Sequence, residues 1–298
     1  MPADSDYDSF VAGDWRLRTL KGRWGEDIEK AVLEVVERQP PSKHPQTIAV
    51  RLPHGAHHQN CYLKVFHASQ GWSAVKDALR ISRAMRAWRQ GLALGAAEFK
   101  VPLAIAVGER RRNQFLRRAF LLTEKIDGQP VLLNLARFAD PQREDLSLTR
   151  KRAAIRRLAA LVRRFHDSGF VHGDLVATNI FVAGAPAGER TFYFMDNDRT
   201  RRYPSWMPQR FWKRNLIQLN RMPLPGISLQ DRMRFFHAYL GTRKLSRQER
   251  RLARWLELNT RRRRQECDGV DARGDFRRLM RWAGDPARTD LTGGVDRS

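Results

Sequence analysis

The stretch that decides the fold runs from Phe165 to Tyr203 and reads FHDSGFVHGDLVATNIFVAGAPAGERTFYFMDNDRTRRY. An HGD triplet ends at Asp174, and Asn179 follows five positions later. A run of β-forming residues then leads directly into Asp196. The pattern predicts a polar loop between short apolar segments, with a second carboxylate at the end of the last strand.

These residue types suit one chemistry, phosphoryl transfer. A kinase uses one carboxylate to orient the attacking hydroxyl, and an Asn with a second Asp to hold Mg²⁺ on the nucleotide phosphates. The kinase spacing H-x-D-L-x-x-x-N is matched by His172, Asp174, Leu175 and Asn179. Asp196 at the strand end matches the other metal ligand. A tight turn closed by Gly173, with Asp174 as a cap, is the alternative interpretation, and it leaves Asn179 and Asp196 unexplained.

Composition predicts a soluble protein with a substantial core, in one large domain or in two lobes. Of the 298 residues, 42% are hydrophobic, but no apolar run reaches the length of about 18 that suggests a membrane span. The first residues, MPADSDYDSF, contain acids and no apolar run, so no secretory signal is expected. The two cysteines, Cys61 and Cys267, do not form a disulfide framework, which favours a reducing, cytoplasmic compartment.

The charge predicts an anionic partner. Lys and Arg number 56 against 32 acids, which gives a net charge of +24 and a pI near 11.2. Nucleic acid, anionic lipid headgroups and phosphorylated glycans all qualify as partners. No zinc-finger spacing or aromatic RNA-binding signature is present, so the charge alone does not select among them. An arginine-rich composition without functional meaning is the other explanation.

The first third of the chain reads as β-rich. Residues 1–28 are polar and predict a loosely packed lead-in, followed by strands at Lys30–Val36 and Thr47–Leu52. The loop between those strands has no glycine, although a phosphate-covering kinase loop normally has several. The next strand, Cys61–Phe66, is apolar on both sides of Lys64, which predicts that the ammonium faces a fixed anion such as the α- and β-phosphates. A lysine on an edge strand that faces water is the alternative.

Between this strand and the decisive stretch, one helix and two strands are predicted. The apolar stripe of residues Trp72–Leu94 predicts a helix behind the lysine strand. A kinase needs a glutamate there to pair with the lysine, but Asp77 is the only acid in this helix. Strands follow near residues 101–107 and 120–124. The order of elements then predicts that backbone groups of Glu124 to Ile126 meet the adenine edge.

The second half of the chain reads as helical. Helices are predicted at Leu148–Asp167, Trp212–Met222, Ser228–Leu240 and Ser246–Arg264. The fold class predicted is therefore α+β, a two-lobed protein-kinase-like fold. Its parts are a lead-in (1–28), a β-rich N-lobe (29–128), a helical C-lobe (129–266) and a polar tail (267–298).

Several segments together carry a family resemblance. They are YLKVF around Lys64, AMRAW at Ala84–Trp88, FLLTEKIDG at Phe120–Gly128, HGDLVATNIFV from His172, MDNDRTR from Met195, Asn215-Leu216, and Arg232–Leu240. In these features the chain resembles the lipopolysaccharide kinase (Kdo/WaaP) family over roughly residues 45–240. The most diagnostic part is D-x-D-R at Asp196–Arg199, where protein kinases have D-F-G.

The resemblance implies an ATP-dependent kinase for a heptose or Kdo hydroxyl of the lipopolysaccharide inner core. It would act on the cytoplasmic side of the membrane, with the basic surface facing an anionic glycan or the inner membrane. In this interpretation Asp174 orients the sugar hydroxyl and accepts its proton, Asn179 and Asp196 hold Mg²⁺, and Lys64 binds the phosphates. His172 supports the loop. Asp198 either assists the metal ligands or pairs with Arg199 or Arg201.

One departure from the family keeps other functions open. Many members have an acid between the Arg and Trp of AMRAW, where this chain has Ala87, so Asp77 or Glu98 would have to replace it. A pseudokinase that binds nucleotide without turnover is one alternative. A small HGD-type protein kinase or tRNA-associated kinase is another, since the charge would suit RNA. An antibiotic phosphotransferase fits less well, because a cationic acceptor requires an acidic cleft.

Overall fold

The computed structural model describes residues 2–54, 57–68, 80–136, 148–184, 190–204, 206, 210–221 and 227–268. Within these residues the chain forms two compact units. The first unit holds the residues up to Ile126 together with Asp196–Arg199. The second holds Asp127–Met195 and the described residues from Thr200 onward.

The first unit is built on one antiparallel sheet of six strands. The strands are β1 (Tyr7–Ala12), β2 (Trp15–Leu20), β3 (Gln46–His54), β4 (His57–His67), β5 (Ala104–Arg112) and β6 (Phe115–Glu124). Their order in the sheet is β1-β2-β5-β6-β4-β3. Alternation of side chains puts Leu63 and Val65 of β4 into the core, where both are fully buried. Since β4 lies between β3 and β6, Lys64 is on an internal strand, and the edge-strand alternative is wrong.

Two expectations for the N-terminal region are wrong. Residues 1–28 are not a loosely packed lead-in, because the β1–β2 hairpin joins the sheet and buries Trp15 and Leu17 in the core. Residues Lys30–Val36 are not a strand but part of helix α1 (Glu26–Arg38). The β-branched residues suggested a strand, but Val32 and Val36 lie one helical turn apart and are both buried, and acids in the first turn favour the helix start. The glycine-free loop therefore joins a helix to a strand.

The helix predicted at Trp72–Leu94 begins later than expected. Residues 69–79, which include Asp77, lie outside the described part of the chain. Helix α2 spans Arg83–Ala96, and Ser82 caps it by accepting a hydrogen bond from Met85 N. A short 3₁₀ turn, Asn197–Arg199, packs against α2 within the same unit.

The second unit is mainly helical. Its helices are α3 (Val131–Ala136), α4 (Leu148–Asp167), α5 (Arg210–Arg221), α6 (Leu229–Leu240) and α7 (Arg247–Asp268). Two small sheets accompany them, with strands β7 (Gly128–Pro130), β8 (Phe170–Val171), β9 (Ile180–Ala183), β10 (Thr191–Phe194) and β11 (Arg201–Arg202). Helices α4 to α7 are those predicted, with small shifts at their ends. The predicted tail lies outside the described residues, apart from the end of α7.

Local signals explain where these helices stop and start. At the C-terminus of α4, Gly169 adopts φ +81°, and a Cβ there would lie 2.4 Å from the carbonyl oxygen of Tyr203. Ser228 and Asp231 form the predicted capping box of α6, which ends at the left-handed Gly241. A buried ion pair between Lys151 and Asp231 joins α4 to α6 at 2.6 Å. None of the described helices is long and apolar enough to cross a membrane.

Candidate active site

The HGD loop brings Asp174 and Asn179 together in the second unit. The loop runs from β8 to β9, and its turn is closed by backbone bonds from Val176 N to Asp174 O (3.0 Å) and from Asn179 N to Val176 O (2.9 Å). The Asn179 side chain donates from Nδ2 to the same Asp174 carbonyl at 2.9 Å. This bond assigns the amide orientation, so Oδ1 is the atom of Asn179 that can serve a cation.

His172 supports this loop, as predicted. The residue is fully buried, its Nε2 lies 2.9 Å from Met195 O, and its Nδ1 accepts the N–H of Asp174 at 3.1 Å. Because Nδ1 is an acceptor, the ring carries its proton on Nε2, and this N–H donates a hydrogen bond to the Met195 carbonyl. Met195 N in turn donates to Asn179 O at 2.9 Å. The end of β10, immediately before Asp196, is therefore fixed to the HGD loop.

Two amides on α5 hold the other side of the loop. Asn215 Oδ1 accepts the N–H of His172 at 2.9 Å, and Asn215 Nδ2 donates to the His172 carbonyl. Gln218 Nε2 donates to Gly173 O at 3.1 Å and lies 3.5 Å from Asp174 Oδ1. Gln218 Oε1 accepts the N–H of Leu175 at 3.2 Å. The backbone of every residue from 172 to 175 is therefore engaged, and sequence reasoning gave Asn215 no role beyond the family resemblance and missed Gln218.

A partly buried histidine, His166, orients Asn215. His166 Nε2 lies 3.2 Å from Asn215 Oδ1, and His166 Nδ1 lies 3.0 Å from the hydroxyl of Tyr239. Since Asn215 Oδ1 can only accept, His166 donates a hydrogen bond from Nε2, and its Nδ1 accepts a hydrogen bond from the Tyr239 hydroxyl. Burial among aromatic rings disfavours the imidazolium and lowers the pKa of His166 to about 4, although the bond to Asn215 acts in the opposite direction. The hydrogen bonds that lead from the HGD loop through Asn215 therefore reach a neutral His166 ring.

In the first unit, Lys64 pairs with Asp196. Lys64 Nζ lies 2.5 Å from Asp196 Oδ1, and both side chains are partly exposed. Asp196 has a φ of +54°, in the left-handed region that few non-glycine residues adopt. Such backbone strain recurs at functional sites, where the surrounding contacts maintain it.

Asp198 also pairs with a cation, but not with either of the expected arginines. Its Oδ2 lies 2.6 Å from both Nε and Nη2 of Arg83, at the start of α2. The Asp198 side chain is only 2% exposed. The expectation of Arg199 or Arg201 as partner is therefore wrong. Sequence adjacency suggested them, whereas the partner lies 115 positions away.

The residues expected at the adenine edge lie at the end of β6. The carboxylate of Glu124 accepts from Arg23 at 2.8 Å, and its backbone N–H donates to Leu103 O at 2.9 Å. The next amide, that of Lys125, donates to Asn60 O. Ile126 is the last residue of the continuous part of the first unit. The N–H groups of Glu124 and Lys125 are therefore both engaged in backbone hydrogen bonds.

Comparison with known proteins gives the family and the fold of this chain. The sequence model of the lipopolysaccharide kinase (Kdo/WaaP) family matches residues 48–239. The solved structure of WaaP in complex with acyl carrier protein is 21% identical, with a TM-score of 0.55 over 80% of this chain and 93% of that one. The kinase domain of Mycobacterium tuberculosis PknI is 14% identical, with a TM-score of 0.35 over 70% of this chain and 73% of that one. No curated protein sequence matches significantly.

The likeness to WaaP confirms the predicted kinase-like fold. The family match extends from β3 through the HGD loop to the end of α6, which is more than half of the 298 residues. The chain therefore belongs to the lipopolysaccharide kinase (Kdo/WaaP) family.

Proposed function

We propose that this kinase transfers the γ-phosphate of ATP to a hydroxyl of a heptose or Kdo sugar in the lipopolysaccharide inner core. The observation that carries the proposal is the hydrogen-bonded loop that unites Asp174 with Asn179 in a chain of this family. Both side chains are partly exposed, as groups that meet substrates must be, while His172 beneath them is fully buried.

Asp174 is the residue that meets the acceptor. Its carboxylate accepts the proton of the sugar hydroxyl as the oxygen attacks the γ-phosphorus, and the bond between that phosphorus and the leaving ADP oxygen breaks. The loop orients Asp174 by its main chain, and Gln218 restrains the carboxylate itself. Orientation of this kind provides catalysis because phosphoryl transfer depends mainly on position and electrostatics.

The donor atoms fit Mg²⁺. Asn179 offers an amide oxygen and Asp196 a carboxylate, which are the hard oxygen ligands that Mg²⁺ prefers. Among the described residues no group of three or more His, Cys, Asp or Glu side chains is arranged to hold a metal without help. Phosphate oxygens of the substrate would therefore complete the coordination, as is usual for Mg²⁺. When bound, the ion neutralises the charge that develops on the phosphates.

Lys64 and the end of β6 bind the rest of the nucleotide. The buried strand β4 fixes the Lys64 stem, so its ammonium can exchange the Asp196 carboxylate for the α- and β-phosphates. The carbonyl of Glu124 and the N–H of Ile126 bind the adenine edge. These assignments leave the Glu124 carboxylate in its ion pair with Arg23.

The proposal is tested by transfer of labelled γ-phosphate from ATP and Mg²⁺ to purified inner-core lipopolysaccharide. Assays with two separate lipopolysaccharide acceptors, one that ends in heptose and one that ends in Kdo, would show which sugar is phosphorylated. Asp174→Asn should lower the rate by about 10²–10⁴-fold, because it removes the proton acceptor and keeps the shape. Asp167→Asn is the matched control, since Asp167 is exposed and pairs only locally with Arg163 in the same unit. ATP binding without transfer to any glycan would instead indicate a pseudokinase.

A basic face of α7 suits an anionic partner. At about 100° per residue, one side of the helix carries five arginines, one tryptophan and one leucine, all exposed. They are Arg247, Arg251, Arg254, Trp255, Leu258, Arg261 and Arg262. The opposite side, with Leu256 and Thr260, is buried. Exposed apolar side chains among arginines are typical of helices that rest on anionic membranes.

We propose that this α7 face contacts the inner membrane while the kinase acts on its lipid-linked acceptor. An acyl carrier protein is a competing occupant, because WaaP has been solved in complex with one. An apolar cavity of about 540 Å³ in the same unit, lined in part by Ile155, Leu216 and Phe236, reaches Arg254, Leu258 and Arg261 of that face. A carrier-borne acyl chain would suit such a cavity.

The two occupants are separable by co-sedimentation. Vesicles with anionic lipid should bind the kinase, and Arg251→Glu with Arg254→Glu should abolish binding. The control for the change in net charge is Arg156→Glu with Arg157→Glu, since both arginines are exposed on α4. Capture by an acylated carrier protein, without binding to vesicles, would assign the face to the carrier.

A further inference from the structure

Helix α2 lacks the acidic residue that kinases use to hold the strand lysine. In kinases a helix glutamate pairs with this lysine, and the pair must form for activity. The sequence of α2, RAMRAWRQGLALGA, contains no acid. Ala87, the position at which the resemblance led us to expect an acid, is buried. Lys64 is paired instead with Asp196.

A different ion pair connects α2 to the same segment. Arg83 binds Asp198, whose side chain is only 2% exposed, so water can do little to solvate the carboxylate and Arg83 is its charged partner. Arg83 is the first residue of α2 and follows the buried cap Ser82, so the start of the helix fixes the backbone of Arg83. Removal of Arg83 would leave Asp198, the buried member of the pair, without its charged partner.

The two ion pairs share one aromatic side chain. The ring of Phe66 lies 5.5 Å from Lys64 Nζ and 5.4 Å from Arg83 Cζ. Lys64 and Phe66 are two residues apart on β4, so their side chains project from the same face of the sheet. Arg83 contacts the Phe66 ring as well. Asp196 and Asp198, also two apart, meet these cations. The segment from Asp196 to Asp198 is therefore held by an ion pair at each end, and its first residue has the strained φ.

We infer that the ion pair of Arg83 with Asp198 takes the place of the lysine–glutamate pair that the described helix α2 cannot form, and that it positions Asp196 for Mg²⁺ and ATP. Arg83 acts through Asp198 and is a positioning residue. The inference rests on the proposed function for its meaning in catalysis, but the contacts that carry it lie within the first unit and do not involve the sugar acceptor.

The first test is made without nucleotide or metal. Arg83→Gln should speed hydrogen exchange of the backbone amides of residues 195–202 by about fivefold or more, because local opening is easier without the pair. Arg89→Gln is the matched control, as Arg89 is exposed on the same helix. Unchanged exchange in Arg83→Gln would overturn the inference, and this result does not depend on whether the protein phosphorylates lipopolysaccharide.

The second test uses Mg²⁺ and ATP. Arg83→Gln should raise the Mg²⁺ concentration for half-maximal ATP binding by about tenfold, since partners of metal ligands typically contribute 10–100-fold. Arg83→Lys should restore part of this loss. In the double variant that combines Arg83→Gln with Asp198→Asn, no unpaired charge remains. The fold increase in the Mg²⁺ concentration for half-maximal ATP binding should therefore be smaller than the product of the increases in the two single variants. A lower melting temperature with unchanged Mg²⁺ dependence would show a purely structural role. Absence of sugar phosphorylation by the wild type would count against the proposed function only.

Discussion

The side-chain amide of Asn215 holds both backbone groups of His172, accepting its N–H at 2.9 Å and donating to its carbonyl. Asn215 is fully buried. Two residues after His172 comes Asp174, so α5 fixes the main chain from which the proposed proton acceptor projects. A side-chain amide matches this task because it donates and accepts at once, which a carboxylate or an ammonium cannot do.

Asn215→Ala should therefore damage both stability and turnover. It leaves the buried N–H and carbonyl of His172 unpaired, and we expect the free energy of unfolding in urea to fall by about 3 kcal/mol. Asn259→Ala is the control, since Asn259 bonds only to the carbonyl of Trp255 on α7. Its effect should be below about 0.5 kcal/mol. Equal losses in the two variants would contradict the role given to Asn215.

Gln218 should affect turnover more than stability. Gln218→Leu removes the bonds to Gly173 and Leu175 and the contact with Asp174 but keeps the bulk of the side chain. We expect kcat for sugar phosphorylation to fall about tenfold, because the carboxylate is less well oriented, with KM for ATP within about twofold. Gln230→Leu at an exposed position of α6 is the control. A rise in KM for ATP with unchanged kcat would show that Gln218 serves nucleotide binding instead.

The sequence predicted what is local. Asp174 and Asn179 are five residues apart, so one turn unites them, and the apolar neighbours of Lys64 indicated a buried strand. We predicted a strand where helix α1 lies, because β-branched residues are compatible with both structures. The burial of Val32 and Val36, one helical turn apart, distinguishes the helix from a strand. The partners of Asp198 and His172 could not be predicted, since Arg83 and Asn215 are 115 and 43 positions away. Charge and polarity in a sequence show that a partner is needed, but the fold selects it.

The protonation of His166 gives the fold an acid sensitivity. The pKa of His166 is about 4 in the folded chain and near 6.5 when unfolded, so between these values the unfolded chain binds the proton and the folded chain does not. The free energy of unfolding should thus decrease as the pH falls from about 6.5 to about 4, by a few kcal/mol. His166→Gln should lose this part of the pH dependence. Urea unfolding at several pH values, compared between the two proteins, isolates it from the carboxylates. Parallel curves would contradict the lowered pKa.

Gly169 is expected to be irreplaceable, while Gly241 is not. Both have a positive φ at a helix C-terminus, +81° and +69°, so alanine meets the same backbone penalty of about 1 kcal/mol at either site. At Gly169 the new Cβ would also lie 2.4 Å from Tyr203 O, a backbone atom that is itself held by the bond from Tyr203 N to Gly169 O. A Cβ at Gly241 would have no atom of the described residues within 4 Å, its chain neighbours aside. Gly169→Ala should therefore lower the free energy of unfolding by at least about 2 kcal/mol more than Gly241→Ala. Because Gly169 lies three residues before His172, kcat should fall as well only in the first variant. Equal melting temperatures for the two variants would mean that the β8–β11 pairing relaxes without cost.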